Sequence, residues 1–214
     1  EGLEKEMQWR EQSVVDLQKS FDYKHLSESE KLSYDIWVYK NELQKKLSPF
    51  RNHEYLFSQM QGMHTYLPTF LINFHKVDDA ADMDAYIKRI VEIERVIDQL
   101  LVRAMKAAEN GVRPPRFTYD IVLEQSKALL NGYPFDEKSE KQSSLWMDAK
   151  DKVSSLQKSQ AIDEKKAEEL IAAVKHVLTN EFADAYQKLI SWLEDDRVNS
   201  DKQAQGVSAL PNGD

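Results

Sequence analysis

Tyr86, Ile90, Ile93, Ile97, Leu100, Ala104 and Ala107 recur at steps of three and four residues. That spacing gathers them on one face of an α-helix and on no face of a strand. The stretch from about Met83 to Asn110 is therefore predicted to be one long amphipathic helix, with Asp82 placed to cap its start. Gly111 follows as a left-handed stop, and Pro114-Pro115 prevents resumption. Only 6 Gly and 6 Pro occur in 214 residues, too few for the many turns of a sandwich or barrel. The predicted fold is all-α, a bundle-like array of about six or seven helices, three of them long and mostly antiparallel.

The same periodicity marks the other helices. Leu3, Met7, Val14, Leu17 and Phe21 share one side of the opening segment. Ser27-Glu28-Ser29-Glu30 has the form of a capping box. Leu32, Ile36, Tyr39, Leu43 and Leu47 then give the next helix one apolar face, until Ser48-Pro49 closes it. From Arg51 to Val77 the pattern is less regular and is interrupted by Gly62 and Pro68, so short helices and a loop are expected. Within it, Phe70-Leu71-Ile72-Asn73-Phe74 suits a short helix or a buried extended piece. Phe117 to Asn131 reads as a helix ended by Gly132 and Pro134, and Leu145, Ala149, Val153 and Leu156 mark a shorter one. Asp163 is placed to cap the last long helix, whose apolar spacing slips near Thr179-Asn180. After Glu194-Asp195-Asp196 the pattern dissolves, so residues 1–196 are predicted to be helical and 197–214 a polar linker toward a further, carboxy-terminal domain.

Thirty-seven acidic against 29 basic side chains leave a net charge of −8, which opposes a long-range attraction for nucleic acid. There is no Cys, which removes disulfides, thiolate zinc sites and cysteine nucleophiles together. No apolar run approaches the roughly 20 residues of a transmembrane segment. The first residues do not form a signal peptide.

Catalytic motifs are sought by spacing. A helical zinc protease needs His-Glu-x-x-His, but His53-Glu54 is followed by Tyr55, Leu56 and Phe57. The remaining histidines, His25, His64, His75 and His176, stand far apart. No Ser sits in a Gly-x-Ser-x-Gly turn, and no glycine-rich phosphate loop is present. No catalytic and no metal-binding residue of this chain is therefore assigned. Two segments stand above the background. Gln59-Met60-Gln61-Gly62-Met63-His64 is an amide-rich turn suited to contacting a ligand or to satisfying its own backbone. Arg113-Pro114-Pro115-Arg116 holds two guanidinium groups that suit a carboxylate, or an internal salt bridge.

Several segments, in order, resemble one family. They are Leu32-Ser33-Tyr34-Asp35, Gln59-Met60-Gln61-Gly62, Leu67-Pro68-Thr69-Phe70-Leu71, Ala85-Tyr86-Ile87-Lys88-Arg89, Gly111-Val112-Arg113-Pro114-Pro115-Arg116-Phe117, Ala185-Tyr186-Gln187-Lys188-Leu189 and Gly206-Val207-Ser208-Ala209-Leu210-Pro211-Asn212-Gly213. This set is similar to the amino-terminal part of the bacterial domain-of-unknown-function 885 family. The resemblance implies a longer protein, a lipoprotein of the periplasm or lipid-anchored outside the cytoplasm, akin to helical zinc metallopeptidases of the gluzincin kind. It implies that zinc is held by a carboxy-terminal His-Glu motif to which nothing here aligns. The chain alone is then not an enzyme and holds no cofactor. Its partners are its own carboxy-terminal domain and short peptides, and its helices form one wall of a peptide cleft. Gln59, His64 and Arg116 are the candidate substrate-binding residues. The alternative is a free-standing helical module that binds a protein partner. A large exposed apolar patch favours the first reading.

Overall fold

The structure, a computed structural model, describes residues 2–213. The side chain of Leu3, counted above on the first apolar face, and Asp214, the end of the predicted linker, lie outside the described residues. Among these residues the chain is all-α: α1 (Gly2–Ser20), α2 (Glu28–Leu47), α3 (Met63–Phe74), α4 (Ala80–Glu109), α5 (Arg116–Leu129), α6 (Ser144–Lys158), α7 (Glu164–Val177) and α8 (Ala183–Asp196). A π-turn over Leu178–Phe182 joins α7 to α8 without a break, so the eight helices form seven rods. The chain divides into two compact units, residues 1–53 and 54–214.

Unit 1 is the α1–α2 hairpin. The capping box forms, with the Ser27 N–H donating to the Glu30 carboxylate at 2.7 Å. Trp37 on α2 donates from Nε1 to Ser13 Oγ on α1 at 3.0 Å and meets Trp9 edge-on, while Val14 and Asn41 are the buried residues between the helices. Trp37 and Asn41 lie on the side of α2 opposite the Leu32–Leu47 stripe, so the regular apolar face read from the sequence points away from the partner helix. All five of its residues are exposed.

Unit 2 is built around α4, the longest helix at 30 residues, which packs against α3, α6, α7 and α8. Tyr86, Ile90, Ile93, Ile97 and Leu100 are buried, and each aliphatic side chain removed from water contributes about 1.5–3 kcal/mol. Asp79, not Asp82, caps this helix by accepting from the Asp82 N–H at 2.9 Å, and Asp82 in turn accepts from the Asp78 N–H at 3.0 Å. The start therefore lies one turn earlier than the sequence suggests, because the Asp79 carboxylate takes the Asp82 N–H while the Asp82 carboxylate turns back to the Asp78 N–H. Gly111 takes the left-handed φ of 81° required of a stop. Asp163 caps α7 through the Lys166 N–H at 2.8 Å.

The segment from Arg51 to Val77 contains a loop and one α-helix, α3, with Pro68 inside it rather than at its end. A proline there cannot supply an N–H to the carbonyl four residues earlier, that of His64. The fully buried Tyr186 hydroxyl on α8 donates to that carbonyl instead. This donor is what lets the helix continue through the proline. Tyr186→Phe is expected to lower stability by about 1–3 kcal/mol by leaving a buried carbonyl unpaired. Adding Pro68→Ala should recover most of the loss, because an alanine at that position brings back the missing N–H. Urea denaturation of the two single variants and the double variant measures this; additive losses would contradict it.

Candidate functional site

The amide-rich turn before α3 is the first polar centre. Gly62 caps α3, and a Cβ on it would lie 2.5 Å from His64 Nδ1 and 2.4 Å from the Ser58 carbonyl oxygen, so only glycine fits against the ring. His64 is fully buried, and its Nε2–H donates to Gln125 Oε1 on α5 at 2.8 Å. Gln125 Nε2 donates to the Gln59 carbonyl at 3.1 Å, and Thr118 Oγ1 donates to Gln59 Oε1 at 3.2 Å. Burial lowers the affinity of His64 for a proton, against a weaker opposing effect of the Gln125 hydrogen bond, so the ring is neutral. The structure thus brings Gln59 and His64 together, but both amide and imidazole face inward. Met60 and Gln61, between them, are the exposed residues of the turn.

Arg116 lies apart from that pair. Its Nη2 donates to the carbonyls of Val198 and Ser200, each at 3.1 Å, and its backbone N–H donates to the Asp201 carbonyl at 2.8 Å. Beside it, Arg113 grips Asp196 through Nε and Nη2 at 3.0–3.1 Å, and the buried Tyr119 hydroxyl donates to the same carboxylate at 2.6 Å. Burial raises the Asp196 carboxyl, but hydrogen bonds from Arg113, Tyr119 and Asn199 outweigh it and hold the group below the usual carboxylate range. Arg113 therefore ties the last residue of α8, and Arg116 the chain after it, to the start of α5. A small cavity of about 30 Å³ lies alongside, lined by Tyr55, Phe57, Thr118, Tyr119 and Trp192 among others, with room for a single water.

A third centre joins α3, α4 and α6. Tyr86 donates to Asp148 Oδ2 at 2.8 Å, and Lys152 pairs with Asp148 Oδ1 and lies over the Tyr86 ring. His75 donates from Nε2 to the Asp82 carbonyl at 3.2 Å and accepts from Arg89 at 2.8 Å. Burial and the Arg89 charge lower the proton affinity of His75, which fits its role as an acceptor. Burial, followed by the charge of Asp148, pushes the Tyr86 hydroxyl upward, so it stays a donor. Every polar group named in this centre is engaged by a neighbour, and the arrangement braces three helices.

What α3 offers to solvent is aromatic. Tyr66, Phe70 and Phe74 stand one turn apart on its outer face, with ring centroids 6.2 and 5.7 Å apart. All three are exposed, while His64, Pro68 and Leu71 on the other face are buried. In the sequence, Phe70 and Phe74 read only as ends of an ambiguous apolar run. The signal that could have found them is the i, i+4, i+8 spacing of three aromatics.

No group of three or more His, Cys, Asp or Glu among the described residues is arranged to hold a metal ion. Among the same residues, no helix is long and apolar enough to cross a membrane. Comparison with known proteins identifies the lineage. The family described as "Bacterial protein of unknown function (DUF885)" matches residues 1–214. The chain belongs to the DUF885 family. No curated protein matches this DUF885 chain. A solved structure, "The crystal structure of the putative lipoprotein from Colwellia psychrerythraea", is similar with a TM-score of 0.66 at 17% identity. The similarity covers 74% of this chain and 26% of that one, so this chain spans about a quarter of the length of its solved relative. At that identity the likeness shows a shared helical fold.

Proposed function

We propose that this chain is the non-catalytic amino-terminal helical part of a longer bacterial protein of zinc-metallopeptidase type, anchored by lipid outside the cytoplasm. In this reading unit 2 forms one wall of a peptide-binding cleft. The observation that carries the proposal is the aromatic ladder of α3. Its three rings are exposed on a helix whose other face is fixed by Tyr186, Leu71 and the His64–Gln125 bond. A rigid row of rings suits the side chains of an extended peptide, and the exposed amide of Gln61 lies in the turn before the helix. The lipoprotein description of the Colwellia psychrerythraea relative supports the location, and its greater length supports a further domain. Among the described residues, His64 Nε2 and both ring nitrogens of His75 are engaged by neighbours, and no acidic cluster joins the two rings. Zinc would be held by residues outside this chain, whose part is to bind and orient peptide.

The test uses the family-length protein. It is expected to carry zinc and to hydrolyse short peptides. Phe70→Ala should raise KM about tenfold, the equivalent of roughly 1.4 kcal/mol of lost contact, with kcat unchanged. Absence of zinc-dependent hydrolysis, or an unchanged KM in the Phe70 variant, would overturn the reading.

A further inference from the structure

The outer face of α2 carries the largest regular apolar surface that unit 1 leaves open. Leu32, Ile36, Tyr39, Leu43 and Leu47 follow steps of 4, 3, 4 and 4 and retain 62%, 44%, 63%, 40% and 49% of their surface. The opposite side of α2 is already engaged with α1 through Trp37 and Asn41. A helix apolar on two opposite sides is one covered on both. The outward positions of α1 are largely polar, including Gln8, Gln12, Asp16 and Lys19, so α1 is suited to solvent and α2 to the middle of a layer.

We infer that the Leu32–Leu47 strip is the docking surface for a helix supplied by the remainder of a family-length polypeptide. This rests on the reading, proposed above, that the chain is one part of a longer protein. Two observations favour that occupant. Only 26% of the solved relative is matched, so most of a family-length chain is available to supply the helix. A straight strip four turns long at helical spacing fits the ridge of another helix. A second copy of the strip fits it less well. Antiparallel pairing sets Asp35 and Glu42, which flank one edge, against their own counterparts, and parallel pairing brings Lys46 toward Lys46 at the seam. The hairpin also has little core of its own, with Val14 and Asn41 its buried residues among those described, so a covering helix would supply most of the apolar burial that holds α2 in place.

Amide hydrogen exchange on the family-length protein and on residues 1–214 alone tests the inference. Amides of α2 should exchange at least about tenfold more slowly in the longer protein. The pair Ile36→Asp and Tyr39→Asp should return them to the rate of the short chain, while amides of α4 and α8 keep their protection and so show that unit 2 remains folded. Equal α2 rates in the two proteins, or no response to the aspartates, would overturn the inference. So would a short chain whose α2 protection rises with concentration as it dimerises, since that assigns the strip to a second copy. The readout does not involve catalysis. A long protein that protects α2 yet hydrolyses no peptide would defeat the peptidase reading alone.

Discussion

Deletion of Asn180 is expected to leave the chain cooperatively folded, whereas deletion of Gln187, two turns further along the same rod, is expected to abolish the unfolding transition. Each residue turns an α-helix by about 100°. Measured that way, the buried residues of α7 (Ala167, Leu170, Val174, Val177) and those of α8 (Ala185, Tyr186, Leu189, Ile190, Leu193, Asp196) are out of phase by about one residue. The π-turn at Leu178–Phe182 takes up that extra residue, and both faces then meet the same core. Its wider turn frees carbonyls that are capped locally: Thr179 Oγ1 donates to Lys175 at 2.9 Å and Asn180 Nδ2 to His176 at 2.7 Å. Removing Asn180 closes the turn into ordinary α-helix, returns those carbonyls to backbone donors and keeps both faces in register. Removing Gln187 has no such outlet. It carries Ser191 into the slot of Ile190, Glu194 into that of Leu193 and Arg197 into that of Asp196. Relaxing the π-turn instead would bring Asp184 into the slot of Ala185, again placing a charge in the core. Thermal unfolding followed by circular dichroism distinguishes the two deletions; similar transitions in both would show that the π-turn does not set the register.

That register slip is visible in the sequence near Thr179-Asn180, as are the helices themselves, because a 3.6-residue period is a local property that one chain displays in full. What one chain does not display is which apolar surface meets which. The Leu32–Leu47 stripe is as regular as the face of α4, yet one is open and the other is core. The same limit applies to the candidate site. Gln59 and His64 stand out as a pair, but their partners Thr118, Gln125 and Tyr186 lie 59, 61 and 122 residues away from the group each one meets. Pro68 reads as an interruption because a helix through proline needs an outside donor, and nothing local announces the Tyr186 hydroxyl. Arg116 is conspicuous for its two proline neighbours. Its Nη2 is committed to backbone carbonyls of residues 198 and 200, groups that every sequence has and none advertises.

Asp196→Ala is expected to cost about 3 kcal/mol at neutral pH, the largest loss expected from a single polar side chain of unit 2. The carboxylate is the shared acceptor of Arg113, Tyr119 and Asn199, and only 10% of its side chain meets water. Its removal strands the Tyr119 hydroxyl in the core and leaves the Arg113 charge without its acid. The figure sits at the low end for a broken buried pair because Arg113 keeps 26% of its own side chain exposed and can be partly rehydrated. The pH dependence follows from the direction of the shift. The folded state holds the Asp196 carboxyl below its ordinary value. The contribution is therefore complete above the unfolded-state value of about 4 and is lost as pH falls through the lower folded-state value. Urea midpoints of the wild-type chain and of Asp196→Asn should differ most at neutral pH and converge below about pH 4. The aspartate alone loses its advantage there, since asparagine does not titrate. A gap that stays constant through that range would mean the Arg113–Asp196 contact holds the α8 end by shape rather than by charge. If charge holds the contact, Arg113→Met combined with Asp196→Ala should recover part of the loss of Asp196→Ala alone, because no unpaired charge remains.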